Sequence, residues 1–258
     1  MHPFIHIFGM ELSSYGLMLM LGFITAFVAV FFRARSMKQP PSQLILVCLA
    51  GACGALVGMI IFRPLTKLPQ VLLDLGTYTK MSPGEFFSFL FGELVFYGGL
   101  IGGVLAAFLF CRAYKLDFPA IAEVVVPIVP LGHALGRVGC FLAGCCYGVE
   151  TDAFWGVAFP RDGIPRVPVQ LLEAGCNLLL CASLLVYTHR RPKRGVRVLG
   201  IYLAVYSVIR FALEFLRGDL VRGVLLGMST SQFVSLLVLP VGVALFYQSN
   251  RRRVSPPG

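Results

Sequence analysis

Apolar residues fall in long unbroken runs along the chain, separated by short clusters of charged, polar and proline residues. A bilayer core takes about 20 mostly apolar residues per helix. By that measure the pattern predicts seven spans, over roughly residues 13–32, 42–62, 94–114, 119–142, 167–187, 197–216 and 230–248. The runs are continuously apolar, whereas the strands of a membrane β-barrel alternate. The expected fold is therefore an all-α polytopic helical bundle, a single transmembrane domain over 1–258. No Lys or Arg precedes the first run and no small-residue cleavage site follows a short apolar core, so that run is expected to stay as a span. Two segments, about 63–93 and 149–166, mix Pro, Gly, Asp and aromatic residues as loops over the mouth of a bundle do. No internal repeat is visible, which argues against a transporter built from duplicated halves.

Composition agrees: 57 % of residues are apolar and 13 % charged, against about 25 % charged in an ordinary soluble chain. A disordered, collagen-like or disulfide-scaffold protein is excluded. In a soluble protein the net charge of +10 would suggest nucleic acid, but here it bears on topology, because Lys and Arg resist translocation. One side of the spans collects thirteen basic residues, from Arg33, Arg35 and Lys38 to Arg251, Arg252 and Arg253, opposed only by Asp117. The other side has eight, diluted by seven acidic residues. The N-terminus is expected outside and the C-terminus in the cytoplasm, with the terminal Arg run favouring anionic lipid.

Ionisable residues within spans are costly and mark functional cavities by default. Arg137 lies near the end of the fourth run, while Arg210, Glu214 and Arg217 share one helical face in IRFALEFLRGD. Two guanidinium groups facing a bundle interior call for an anion, and phosphate matches their fork geometry. The simpler alternative is that Arg210 and Glu214 pair with each other while Arg217 reaches the interface. In FYGGLIGG, Gly98 with Gly102 and Gly99 with Gly103 form overlapping small-xxx-small pairs, a packing device that could also leave room for a ligand beside Tyr97. Tyr15 reads as an interface aromatic or a site hydroxyl.

These pieces, in this order, resemble the prolipoprotein diacylglyceryl transferase family of bacterial inner-membrane enzymes. SSYGLMLMLGF is similar to the family's first-span YG motif, FYGGLIGG to HGGLIG, and LGRVGCFLAGCCYG to GRxxNFxNxExxG. IPRVPVQLLEA is similar to RHPxQLYE and YSVIRFALEFLRGD to RFxxEFxR. The resemblance covers nearly the whole chain. It implies transfer of a diacylglyceryl group from phosphatidylglycerol to the lipobox cysteine thiol of a prolipoprotein, with the active site facing out and no metal or organic cofactor. It also implies that Arg137 and Arg210 clamp the phosphate, Glu214 orients Arg210, Tyr15 and Tyr97 supply hydroxyls, and Gly148 allows a close approach. Arg166, Gln170 and Glu173 would support the outer wall.

The departures from the pattern are chemical. Where the family has His, this chain has Tyr97, and its two Asn and its Glu become Cys140, Ala143 and Cys145, while the His of the RHP box is Val167. A phenol with a pKa near 10 is a poorer base than imidazole. His133, four residues before Arg137, is a candidate replacement proton relay, with an interhelical hydrogen bond as its plainer role. Cys48, Cys53, Cys111, Cys176 and Cys181 read as small buried hydrophobes. Cys140, Cys145 and Cys146 cluster beside Arg137, but C-x4-C-C lacks the C-x2-C spacing of zinc sites and no metal is expected there. The cluster leaves two alternatives open: a homologue that uses the same phospholipid with a different acceptor, or a membrane thiol oxidoreductase.

Overall fold

The computed structural model describes residues 3–7, 10–91, 96–159, 163–190, 195–218, 224–225 and 228–251. Six helical stretches are long and apolar enough to cross a membrane: Ser14–Ser36, Pro41–Pro64, Phe118–Leu142, Val169–Arg190, Gly195–Glu214 and Ser231–Gln248. Each coincides with one of the runs read from the sequence. The remaining run, 94–114, is the helix Phe96–Ala113, whose apolar stretch among the described residues is Ile101–Ala113.

The chain divides into two compact units, Pro40–Phe118 and the remainder. The larger unit begins with a hairpin, β1 (Phe4–Ile7) and β2 (Met10–Ser13), which the apolar pattern does not announce. Helix α1 (Ser14–Ser36) follows directly, its first turn capped by the Ser13 hydroxyl, which accepts from the Gly16 N–H.

In the smaller unit, α2 (Pro41–Leu73) continues beyond residue 62, so the start of the expected 63–93 loop is helical. Next come α3 (Leu75–Tyr78), α4 (Pro83–Phe91) and α5 (Phe96–Ala113). Helix α4 opens with a capping box: the Ser82 N–H and hydroxyl donate to Glu85 Oε2 at 2.9 Å, and the Glu85 N–H returns to the Ser82 hydroxyl. Those bonds hold the Glu85 carboxyl below its ordinary range.

The larger unit resumes with α6 (Phe118–Val125), a 3₁₀ turn at Val126–Ile128, and α7 (Val129–Leu142). Pro127 and Pro130, which lack an N–H, account for the break in this span. A short hairpin, β3 (Val157–Ala158) with β4 (Pro165–Arg166), leads into α8 (Val169–Arg190) and α9 (Gly195–Glu214). Strands β5 (Val224–Leu225) and β6 (Met228–Ser229) precede α10 (Thr230–Arg251).

Polarity runs opposite to that of a soluble protein. Leu179 and Phe32 are 71 % and 64 % exposed, whereas Glu173 is fully buried and Arg210 is 6 % exposed. With lipid outside, apolar burial does not hold the helices together; close backbone packing does. Helix α1 meets α7 at Gly22 and Gly132, and α9 meets α10 at Gly200 and Gly242. In the smaller unit α2 meets α5 through Gly54 and Gly58 against Gly98 and Gly102. A Cβ added at Gly98 would lie 2.2 Å from the Gly58 carbonyl oxygen, and backbone cannot move aside. Gly98→Val should therefore destabilise the protein by 1–3 kcal/mol or more, roughly the range for overpacking. Gly84→Ala, where a Cβ meets nothing within 4 Å, should be nearly silent. Thermal unfolding in detergent separates the two, and equal midpoints would contradict the packing.

Helices α1 and α5 both end in a Schellman motif. Gln39 N–H donates to Ala34 O at 2.9 Å and Lys38 N–H to Arg35 O at 3.1 Å; Leu116 and Lys115 repeat the pattern onto Cys111 and Arg112. The left-handed position is taken by Lys38 (φ 56°) and Lys115 (φ 54°) rather than glycine. A side chain in that conformation costs roughly 1–2 kcal/mol, part of which glycine gives back as chain entropy. Lys38→Gly and Lys115→Gly should each stabilise by about 0.5–1 kcal/mol, read as a raised unfolding midpoint.

Candidate functional site

Three helices carry polar residues at one-turn spacing, and the spacings converge. Helix α7 presents His133, Arg137 and Cys140; α8 presents Gln170, Glu173 and Asn177; α9 presents Tyr202, Tyr206, Arg210 and Glu214. All belong to the larger unit.

Glu173 is the centre. Its Oε1 lies 3.0 Å from Arg137 Nε, 3.5 Å from His133 Nε2, and accepts the Tyr206 hydroxyl at 3.1 Å. Its Oε2 lies 3.8 Å from Arg210 Nη1. Arg210 Nη2 meets Glu214 Oε2 at 2.7 Å and donates to the Ser231 hydroxyl of α10 at 2.9 Å. Tyr206 also reaches His133 Nε2 at 3.4 Å and stacks on Tyr202. Two guanidinium groups are thus balanced by two carboxylates, so the arginines expected to await an anion already hold partners. Arg210 Nη1 has no hydrogen-bond partner among the described residues, and neither has Gln170 Oε1.

The other expected residues lie nearby or elsewhere. The Tyr15 ring packs beside Gly139, where an added Cβ would meet it at 3.4 Å, one residue from Cys140. Glu173, expected in the outer wall, is instead the buried hub. Gln170 Nε2 donates to the Cys145 carbonyl at 2.6 Å, tying α8 to the turn after α7. Gly148 N–H donates to Val167 O while the neighbouring Val149 N–H donates to Leu216 O, both at 2.9 Å. A Cβ at Gly148 would come within 2.6 Å of both carbonyl oxygens, so only glycine fits this crossing. Arg166 pairs with Glu150 at 3.0 Å and lies over the Tyr147 ring. Gly98 and Gly99 face α2 in the smaller unit, and the side chain of Tyr97 lies outside the described residues.

Tyr206, Tyr202, Asn177 and Ser231 are parts of the site that the sequence reading passed over. Asn177, a buried amide in a Leu-rich span whose Nδ2 donates to the Glu173 carbonyl at 2.9 Å, carried a readable signal. So did the i, i+4 series of Tyr202, Tyr206, Arg210 and Glu214.

The turn after α7 is a third Schellman motif. Cys145 N–H donates to Cys140 O and Gly144 N–H to Phe141 O, both at 3.1 Å, with Gly144 at φ 71°. This geometry folds the residue two past the cap onto the last turn, and here both residues are cysteines. Cys146, at φ 63°, turns back toward them. The three Sγ atoms lie within 4.8 Å of one another, with Cys145 exposed and the other two half-buried. None of the three is in a disulfide.

Removing one member of a buried ion pair leaves an uncompensated charge, at a cost of about 3–5 kcal/mol. Glu173→Ala should lower stability by that order. Glu173→Gln combined with Arg137→Gln should cost less than the two single changes summed, by roughly 0.5–3 kcal/mol. Strict additivity in a double-mutant cycle of detergent unfolding would contradict the hub.

Comparison with known proteins identifies the family. The family described as Prolipoprotein diacylglyceryl transferase matches residues 3–248. A phosphatidylglycerol-prolipoprotein diacylglyceryl transferase of Clostridium tetani is 32 % identical over 251 residues, covering 93 % of this chain and 94 % of its own. Proteins of that name from Clostridium perfringens, where it is numbered 2, and Geobacter sulfurreducens are each 33 % identical, covering 95 % and 96 % of this chain and 93 % and 94 % of their own. With the spans, the arginine motifs and a match over nearly all its length, the chain belongs to the prolipoprotein diacylglyceryl transferase family.

Proposed function

We propose that this protein transfers the diacylglyceryl group of phosphatidylglycerol to the lipobox cysteine thiol of a prolipoprotein, as a multi-pass enzyme of the bacterial inner membrane with its site toward the outer side. The observation that carries this reading is the convergence of Arg137 and Arg210 on one buried carboxylate, in a chain of this family. In the reaction the acceptor sulfur attacks the glycerol carbon that bears the phosphate. The C–S bond forms as the C–O bond breaks, the electron pair leaves with glycerol phosphate, and the thiol proton passes to a base.

Negative charge collects on the leaving phosphate, and preorganised donors act most strongly there. Arg137 spends Nε on Glu173, so its two terminal nitrogens are the ones to offer a phosphate. Arg210 offers Nη1. Glu173 and Glu214 hold both groups in place and keep the empty site near neutral, so bound phosphate adds to the carboxylates' hold on the guanidinium groups and does not stand in for them. Tyr15 would supply a hydroxyl at the rim. For the acyl chains, an apolar groove of about 430 Å³ between α8 and α9 is lined by Leu180, Leu184, Ile201, Val205 and Ile209, the last next to Arg210 in sequence. The excess of basic residues at the opposite ends of the spans supports the outward orientation.

The test is a lipidation assay with purified protein, phosphatidylglycerol vesicles and a lipobox peptide, scored by mass for the diacylglyceryl thioether. Arg137→Ala and Arg210→Ala should each lower turnover roughly 100-fold or more, the scale for losing one oxyanion donor. Lys should rescue poorly, because a point charge does not reproduce the fork. Undiminished turnover in Arg137→Ala, or no thioether from the unaltered protein, would overturn the proposal.

A further inference from the structure

The thiols of Cys140, Cys145 and Cys146 take no part in the transfer step as described above. Sequence spacing alone argued against a metal there, but the spacing rule assumes a short loop between ligand pairs. Here the Schellman turn at Gly144 does that work: it returns Cys145 to Cys140, and the left-handed Cys146 closes the triangle. Thiolates bound to a tetrahedral zinc-class ion at about 2.3 Å stand roughly 3.8 Å apart. Sulfur atoms already within 4.8 Å of one another reach that arrangement by small side-chain rotations. Three protein ligands with one position open is the pattern of a catalytic site, whereas structural sites are closed by four.

We infer that Cys140, Cys145 and Cys146 bind one thiophilic divalent cation, of which Zn²⁺ is the representative, and that its open fourth position takes the thiol of the acceptor cysteine. The metal half stands on the thiol geometry. The acceptor half rests on the transfer reaction proposed above. The chemistry suits that reaction, because the acceptor must react as a thiolate and a thiol coordinated to such a cation is deprotonated outright. The proton is released to water. The metal-bound sulfur forms the C–S bond as the C–O bond of the donor breaks, and the electron pair departs on glycerol phosphate. The product is a thioether, a weaker ligand than a thiolate, and it leaves the cation.

Three features place the cluster for this role. Cys140 follows Arg137 by one turn of α7, which sets the cation's coordination sphere beside the proposed phosphate clamp. Three thiolates and a dication sum to −1, or −2 with the acceptor bound, and a guanidinium one turn away offsets that charge. Cys145, the exposed member, opens the cluster to an incoming peptide. The Gln170 bond to the Cys145 carbonyl fixes the turn against α8, the helix that carries Glu173.

The experiment uses the full-length protein, purified under reductant, stripped with chelator and titrated with Co²⁺. One equivalent should give thiolate-to-cobalt charge transfer with the visible bands of a tetrahedral site. Adding a lipobox peptide should shift those bands, and the same peptide with Ser in place of Cys should not. The triple Cys→Ser variant should lose both signals. Because that variant could misfold, the unaltered protein provides a second reading. Zn²⁺ should slow N-ethylmaleimide labelling of these three cysteines by about tenfold or more, while Cys53, which the structure leaves exposed rather than buried as the sequence suggested, keeps its rate. Absence of a thiolate–cobalt band overturns the inference, as does an isolated protein whose Cys140 and Cys145 are joined in a disulfide during turnover. Full turnover by chelated protein also overturns it while leaving the transfer reaction standing. Cobalt binding with a peptide-dependent shift but no thioether from any preparation would instead overturn the transfer reaction.

Discussion

Glu173 is a carboxylate with no access to water in a protein whose outer faces are apolar. Taking a charge that far from water costs several kcal/mol, and only partners of opposite sign and good geometry recover it. Those partners come from α7 and α9, and α10 is joined through Ser231. Four helices are thereby fixed in rotation and height about one point. A helix turned by one residue, or shifted by one, would leave at least one ion buried alone. The glycine contacts supply closeness between helix pairs; the ion cluster supplies register.

The same constraint shapes what the site can do. A cluster with two positive and two negative groups is stable when empty, which two unpaired arginines facing lipid would not be. A phosphate arriving there finds donors already oriented by carboxylates behind them. It meets little reorganisation, the condition under which fixed dipoles stabilise a developing anion most.

Much of this was legible from the chain. The spans follow from run length, and the Arg210–Glu214 pair follows from its i, i+4 spacing. The family follows from motifs that keep their order over nearly all residues. Glu173 at the hub was not legible, because nothing local distinguishes a glutamate in a wall from one between three helices; its partners are 36 residues before it at Arg137 and 37 after it at Arg210. The N-terminal hairpin escaped because β1 and β2 together are shorter than any apolar run. The clustering of Cys140, Cys145 and Cys146 was legible, but the spacing argued against a shared metal there, for a geometric reason. Spacing rules for metal sites encode particular loops, and a Schellman turn with a second left-handed residue is a different loop that brings C-x4-C-C together.

That turn also explains how the signature could change without collapsing the site. Lys38 and Lys115 show that this chain ends helices with the same turn where the left-handed residue carries a charge. At α7 the position is glycine, and the two residues the turn brings face to face are cysteines where the family pattern has Asn and Glu. A carboxylate at 145 would be a fixed charge beside a cluster already in balance. A thiol is nearly apolar when protonated and an anion when bound to a soft cation. Replacing amide and carboxylate by thiols therefore turns a permanent charge into a conditional one, and the condition is the presence of something for sulfur to bind.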